Sequence, residues 1–216
     1  PGLVEAMHGR EQAGKRLDAF FAMDALVADP LQAARREWVV GPYSYYNQYR
    51  YNPNNEPDLH APWMYTLIGQ PWKTATVVRA AQQLFTNAPN GVTGNDDLGT
   101  MSAWYLFSAL GLYPAVPGSG EFLLHAPRFP RVDVALGNGR TLTLRAPGAD
   151  GRALQYVQDV RVNNASRSEV WLDWETLRDG ARIQWTLGTQ APGQGWGTAV
   201  EDLPVSFCAA PGSALQ

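Results

Sequence analysis

Apolar residues recur at helical spacing through the first half of the chain and at alternate positions through the second, and the period changes near Gly118. Between Leu3 and Leu26, the positions Leu3, Met7, Leu17, Phe20, Phe21 and Ala25, with charges between them, predict one or two amphipathic helices around Gly9, stopped by Pro30. Residues 38–62, WVVGPYSYYNQYRYNPNNEPDLHAP, carry prolines, aromatics and Asn pairs, the composition of a long ordered loop. Connections of that length in compact domains usually serve a function. A helix is expected after Pro62 through WMYTLIG, and another from Pro71 or Thr74 with Val77, Val78, Ala81 and Leu84 inward. The next begins near Leu98 and runs to about Leu110, where Gly111 and Pro114 end it. No strand alternation interrupts this half, which predicts an all-α organisation.

Beyond Gly118, the segments EFLLHA, RVDVAL, RTLTLRA, LQYVQDVRVN, SEVWLDW and ARIQWTLG read as short strands between Pro, Gly and Asn breaks. Gly137-Asn138-Gly139 predicts a tight hairpin, because Asn-Gly readily supplies the positive φ angles of a type I′ turn. The expected fold class is α+β. Residues 1–117 are helical, residues 118–208 form antiparallel strands packing as part of a sandwich, and residues 209–216 form a disordered tail.

Composition narrows the possible partners. The chain has 216 residues, 45% hydrophobic, with a formal charge of −3, enough for one large domain or two small ones. Its 17 Lys and Arg are dispersed among 20 acidic residues, which argues against nucleic acid as a partner. Cys208 is the only cysteine, so no intrachain disulfide or thiolate metal cluster can form. The sequence has no run of eighteen apolar residues to span a membrane. It opens at Pro1-Gly2-Leu3 almost directly into a helical pattern with no leader, as expected of a chain that starts inside a longer protein. The 8 Trp, 9 Tyr and 7 Phe suit core packing or stacking against sugar rings. Trp104 follows the helix period and belongs to the packing class, whereas Trp63 and Trp72 fit either.

Two stretches carry candidate chemistry. In PNNEPDLH, Asn54, Asn55, Glu56, Asp58 and His60 crowd a loop pinned by Pro53 and Pro57. Hard oxygen donors of this kind suit calcium, although a polar loop bonding its own backbone has the same composition. Asn95, Asp96 and Asp97 stand just before a helix, where a carboxylate caps orphan N–H groups. The same placement keeps a carboxylate ionised, as a general base must be. His8, His60 and His125 lack metal-ligand spacing, and nothing supports a nucleophilic triad.

The stretches NEPDLHAPWMYTLIGQPWKTATVVR and GVTGNDDLGTMSAWYLFSALGLYPAVPGS, with HGREQAGKRLDAFF before them and GNGRTLTLRAPG, YVQDVRVNN and a late GWG after them, resemble the C-terminal catalytic region of the glycoside hydrolase family 92 α-mannosidases. That resemblance implies an (α/α)6 toroid and a calcium-dependent exo-α-mannosidase. Such an enzyme releases terminal mannose from mannose-terminated glycans with inversion. By this likeness Asp97 is the candidate base, with Asp96 or Asn95 in support. Asn55 and Glu56 contribute to the calcium site, and His60 and Trp63 line the pocket. The family's general-acid glutamate lies in a motif upstream of anything in this sequence, so the resemblance implies a partner N-terminal region of the same enzyme and an inactive isolated chain. It also implies a periplasmic or secreted location. A calcium-dependent carbohydrate-binding module that cleaves nothing remains the alternative.

Overall fold

The computed structural model describes residues 2–38 and 50–206, so the expected tail at 209–216 and residues 39–49 of the long loop lie outside the described residues. The first periodic stretch folds as α1 (Gly2–Ala6), α2 (Arg10–Phe21) and α3 (Met23–Ala28). It is three helices rather than one or two, because the backbone turns left-handed at His8 and again at Ala22. Pro30 opens α4 (Pro30–Glu37) instead of ending a pattern. The Asp29 carboxylate accepts from the Gln32 N–H, and Pro30 occupies a first-turn position that needs no donor.

The end of the long loop winds into a 3-10 helix (Glu56–Trp63), followed by α5 (Met64–Leu67), α6 (Pro71–Gln82) and α7 (Thr100–Leu110). Phe21, Leu26, Tyr51, Trp63, Tyr65, Met101 and Trp104 form the centre of the helical core. α6 is buried along nearly its whole length. Val77 and Val78 face the helical core, and Ala75 faces the core of the strands. Polar residues on α6 survive burial because each finds a partner. Thr74 Oγ1 donates to the Pro62 carbonyl, Gln82 to Ser108 Oγ, and the Arg79 guanidinium to the Gly151 carbonyl in the strand layer.

Strands β1 (Leu112–Tyr113), β2 (Glu121–Leu124) and β7 (Trp171–Asp173) form a three-stranded antiparallel sheet. The larger sheet contains β3 (Arg131–Ala135), β4 (Thr141–Arg145), β5 (Tyr156–Val162), β6 (Ala165–Arg167) and β8 (Arg182–Gly188), in the order β3-β4-β8-β5-β6. The sequence pattern anticipates all of these strands except β6 and β1, the latter lying in the half expected to be all helix, and the larger sheet is mixed: β8 runs parallel to β4, with Leu144 beside Ile183. The crossover that a parallel pair needs holds β5, β6, β7 and the short helix α8 (Trp174–Arg178).

The β3–β4 hairpin forms where expected, with a different turn. Only Gly139 has positive φ, and the loop is closed from Leu136 N–H to the Arg140 carbonyl and from Gly139 N–H to the Leu136 carbonyl. The two-residue turn with positive φ at both positions occurs instead at Asn163-Asn164, between β5 and β6.

α7 is joined to the strands at its C-terminal cap. Gly111 adopts φ 83°, and its carbonyl accepts the His125 N–H. A Cβ at Gly111 would stand 2.9 Å from the His125 carbonyl, so glycine suits both the backbone conformation and the close approach.

His125 is buried at this junction. One ring nitrogen donates to the Ser108 carbonyl, and Nε2 has no partner among the described residues. Burial, together with the Arg79 guanidinium, pushes its pKa down to about 3. Above the ordinary value of 6.5 neither folded nor unfolded chain binds this proton. Below it only the unfolded chain does, so stability is lost as pH falls toward the folded pKa, by about 1.4 kcal/mol per pH unit. In denaturant titrations from pH 7 to pH 4, the stability difference between wild type and His125→Gln should shrink with acidification. A difference constant across that range would contradict a neutral buried imidazole.

Candidate active site

Two loops meet on one surface of the helical layer. In the first, Asn52 Oδ1 accepts the Asn54 N–H, and the Asn52 carbonyl receives the Asn55 N–H. The self-bonding expected of an Asn-rich loop therefore falls to Asn52. Asn55 stands at the start of the 3-10 helix with no capping bond from its side chain, and it is exposed. Asp58 is half-buried, and that burial raises its pKa although it accepts the Asn52 N–H.

The second loop separates the neighbouring aspartates. Asp96 Oδ1 accepts both the Ser102 N–H, at 2.9 Å, and the Ser102 hydroxyl, at 2.7 Å. These bonds hold its pKa below the ordinary carboxylate value. Asp97 serves the helix through its backbone, its carbonyl accepting the N–H and hydroxyl of Thr100. Asp97, Leu98 and Gly99 are left-handed in succession, with φ of 44°, 57° and 90°, so α7 starts at Thr100 rather than near Leu98. Left-handed backbone at non-glycine residues costs of order 1 kcal/mol each and collects at functional sites.

The Asp97 carboxyl lies in hydrogen-bonding range of Glu56, and that contact is the main cause of a raised Glu56 pKa. Two carboxylates this close repel one another, and a cation between them relieves that repulsion. Both are solvent-accessible, and with Asn55 beside them they make a hard-oxygen donor set that fits calcium. Among the described residues no third His, Cys, Asp or Glu joins the pair. Further ligands to such an ion would be carbonyls, water or hydroxyls.

Of the other candidates, His60 is exposed, with its ring 6.0 Å from that of Tyr113, and Asn95 is exposed beside Asp96. Trp63 is wholly buried. It stacks on Tyr113 with ring centroids 4.5 Å apart and planes at 3°, and its edge meets His125. It backs the site and presents no face to solvent, because β1 brings Tyr113 onto the ring. Trp104 packs in the core as its spacing predicts, and its indole N–H donates to the Leu59 carbonyl in the 3-10 helix. That bond, and the passage of Thr93 and Gly94 against the first loop, carry no signal in a single sequence. A cavity of about 450 Å³ elsewhere is lined by Asp18, Ala19, Ala22, Met23, Asp24, Ala25 and Glu37, none of them in either loop.

Comparison with known proteins gives consistent results. Residues 1–189 match the Glycosyl hydrolase family 92 catalytic domain. An uncharacterized secreted glycosidase of Arthroderma benhamiae is 30% identical over 156 residues, covering 71% of this chain and 20% of the fungal protein. A family GH92 α-mannosidase of Bacteroides thetaiotaomicron superposes with a TM-score of 0.78 at 27% identity, over 96% of this chain and 26% of that one. A family GH92 inverting mannosidase of Bacteroides thetaiotaomicron VPI-5482 superposes with a TM-score of 0.76 at 27% identity, over 96% of this chain and 28% of that one. The chain thus spans between a fifth and three tenths of the length of these relatives.

Proposed function

Because the chain belongs to glycosyl hydrolase family 92, we propose that it is the base-bearing portion of a calcium-dependent, inverting exo-α-mannosidase acting on mannose-terminated glycans. The observation that carries this reading is the Glu56–Asp97 carboxyl pair, formed between two loops beside an exposed Asn55. The solved relatives described as an α-mannosidase and an inverting mannosidase support the substrate and the stereochemistry. In the whole enzyme we place the helical layer within an (α/α)6 toroid and the strands within a sandwich.

Inverting hydrolysis uses a carboxylic acid to protonate the leaving oxygen and a carboxylate on the opposite face to activate water. Asp97 fills the second role. Its carboxylate takes a proton from water as the water oxygen attacks the anomeric carbon, while the glycosidic oxygen leaves with the proton of the acid. Asp96, held ionised by its two bonds from Ser102, fixes the turn that aims Asp97. Asn55 and Glu56 would hold calcium, which when bound would supply positive charge to grip sugar hydroxyls. His60, four residues after Glu56, and Asn95, two before Asp97, are both exposed and would contact the same sugar. The acid comes from polypeptide outside these residues, consistent with a chain about a quarter the length of its solved relatives. Export to the periplasm or cell exterior fits the secreted relative, and no described helix is long and apolar enough to cross a membrane.

The full-length protein should release mannose from α-mannosides and bind mannose calorimetrically only with calcium present. Calcium-dependent binding without release would instead favour a carbohydrate-binding module, and calcium-independent release would remove the metal from the account.

A further inference from the structure

Gly94 differs from most glycines of the chain, because its φ lies outside the left-handed region and its backbone conformation does not demand glycine. Space does. A Cβ at Gly94 would stand 2.3 Å from the Asn54 carbonyl oxygen, 3.1 Å from its carbon and 3.2 Å from its Cα. Side-chain carbons do not approach within 3.0 Å, and the obstacle is backbone, which cannot rotate aside as a side-chain end can. At the same crossing Thr93 Oγ1 donates to the Pro53 carbonyl, at 3.2 Å. Beyond the carboxyl pair, Trp104 Nε1 donates to the Leu59 carbonyl at 3.1 Å. The loops are therefore joined on both sides of Glu56 and Asp97. Gly94 lies three residues before Asp97, and Asn54 two before Glu56.

We propose that Gly94 is a positioning residue: its missing side chain lets the two loops close backbone to backbone, and this contact, with the Thr93–Pro53 bond, sets the separation of the Glu56 and Asp97 carboxyls. The inference rests on those carboxyls forming the calcium and base site. Any larger residue at 94 forces the loops apart by a sizeable part of an ångström. Sites of this kind work within roughly 0.5 Å of their productive geometry, and misplacement by about 1 Å can cost about 10²-fold in rate.

The test uses the full-length protein. Calcium binding is read by calorimetry and mannoside turnover is measured in parallel, at a temperature where circular dichroism shows each variant folded. Gly94→Ala should raise the calcium half-saturation concentration at least about tenfold and lower kcat by about 10²-fold, with partial recovery of turnover in excess calcium. Thr93→Val, which removes one bond without adding bulk, should raise half-saturation several-fold. The buried Leu172→Ala in β7 should lose stability and keep wild-type calcium affinity, separating positioning from general destabilisation. Wild-type calcium affinity in Gly94→Ala, or in Thr93→Val, while Asp97→Asn remains inactive, would overturn the positioning role and leave the site reading intact. Wild-type calcium binding and turnover in both Glu56→Gln and Asp97→Asn would overturn the site reading, and this inference with it.

Discussion

In the full-length protein, Asp97→Asn should lower kcat on α-mannosides by about 10²–10⁴-fold, the range typical of a general base, while leaving the fold intact. The asparagine keeps the shape and the left-handed backbone that Asn tolerates, and α7 takes only backbone bonds from this residue. Nothing the side chain gives the helix is lost, so thermal stability should stay near that of wild type. Asp96→Asn should behave in the opposite way. It weakens the two bonds from Ser102 and removes the charge they hold, so it should lower Tm, with a smaller loss of rate that follows from a loosened turn. If Asp97→Asn lost stability and kept turnover, both aspartates would be helix caps and the base would lie elsewhere.

Chelation should abolish turnover, and calcium should restore it better than magnesium. Magnesium demands a near-octahedral shell and gives up water reluctantly, whereas calcium accepts irregular sets of oxygen ligands. Glu56→Gln keeps an amide able to hydrogen-bond Asp97 but removes one of the two carboxylates, so calcium half-saturation should rise at least about tenfold. Calcium at about 100 times its Kd should also stabilise the wild type by about 2.7 kcal/mol, visible as an increase in Tm that Glu56→Gln loses at the same concentration. Turnover unaffected by chelator, with Glu56→Gln like wild type, would leave the carboxyl pair without a metal function.

Residue periodicity carries much of the architecture. Helical spacing to Leu110, the Gly111 stop and the alternation after Gly118 all correspond to observed elements, because these features depend on local backbone preference and on one buried face. Tertiary arrangements are less legible. Strand β4 alternates in the same way whether its neighbour runs parallel or antiparallel, so the pairing with β8 has no local signature. Pro30 reads equally as a stop or as the first residue of a helix, and the Asp29 cap decides between them.

The site follows the same division. Composition marks the polar cluster from Asn54 to His60 and the turn from Asn95 to Asp97, and the family resemblance selects Asn55, Glu56 and Asp97 among them, but to local pattern two aspartates before a helix are equivalent. Only the left-handed run from Asp97 to Gly99 turns one toward Ser102 and the other toward Glu56. Trp63 has the residue type of a sugar platform and becomes a wall because Tyr113 covers it. Gly94 is silent in sequence, since the carbonyl that requires glycine there belongs to Asn54, forty residues earlier.

The most direct measurement follows the anomer of mannose first released from an α-mannoside by the full-length protein, using proton NMR with saturating calcium. A base at Asp97 acting on water from the face opposite the leaving group gives β-mannose first, mutarotating later to the equilibrium mixture, with Asp97→Asn releasing neither anomer at a comparable rate. Early α-mannose would require two displacements and would contradict an inverting base at Asp97.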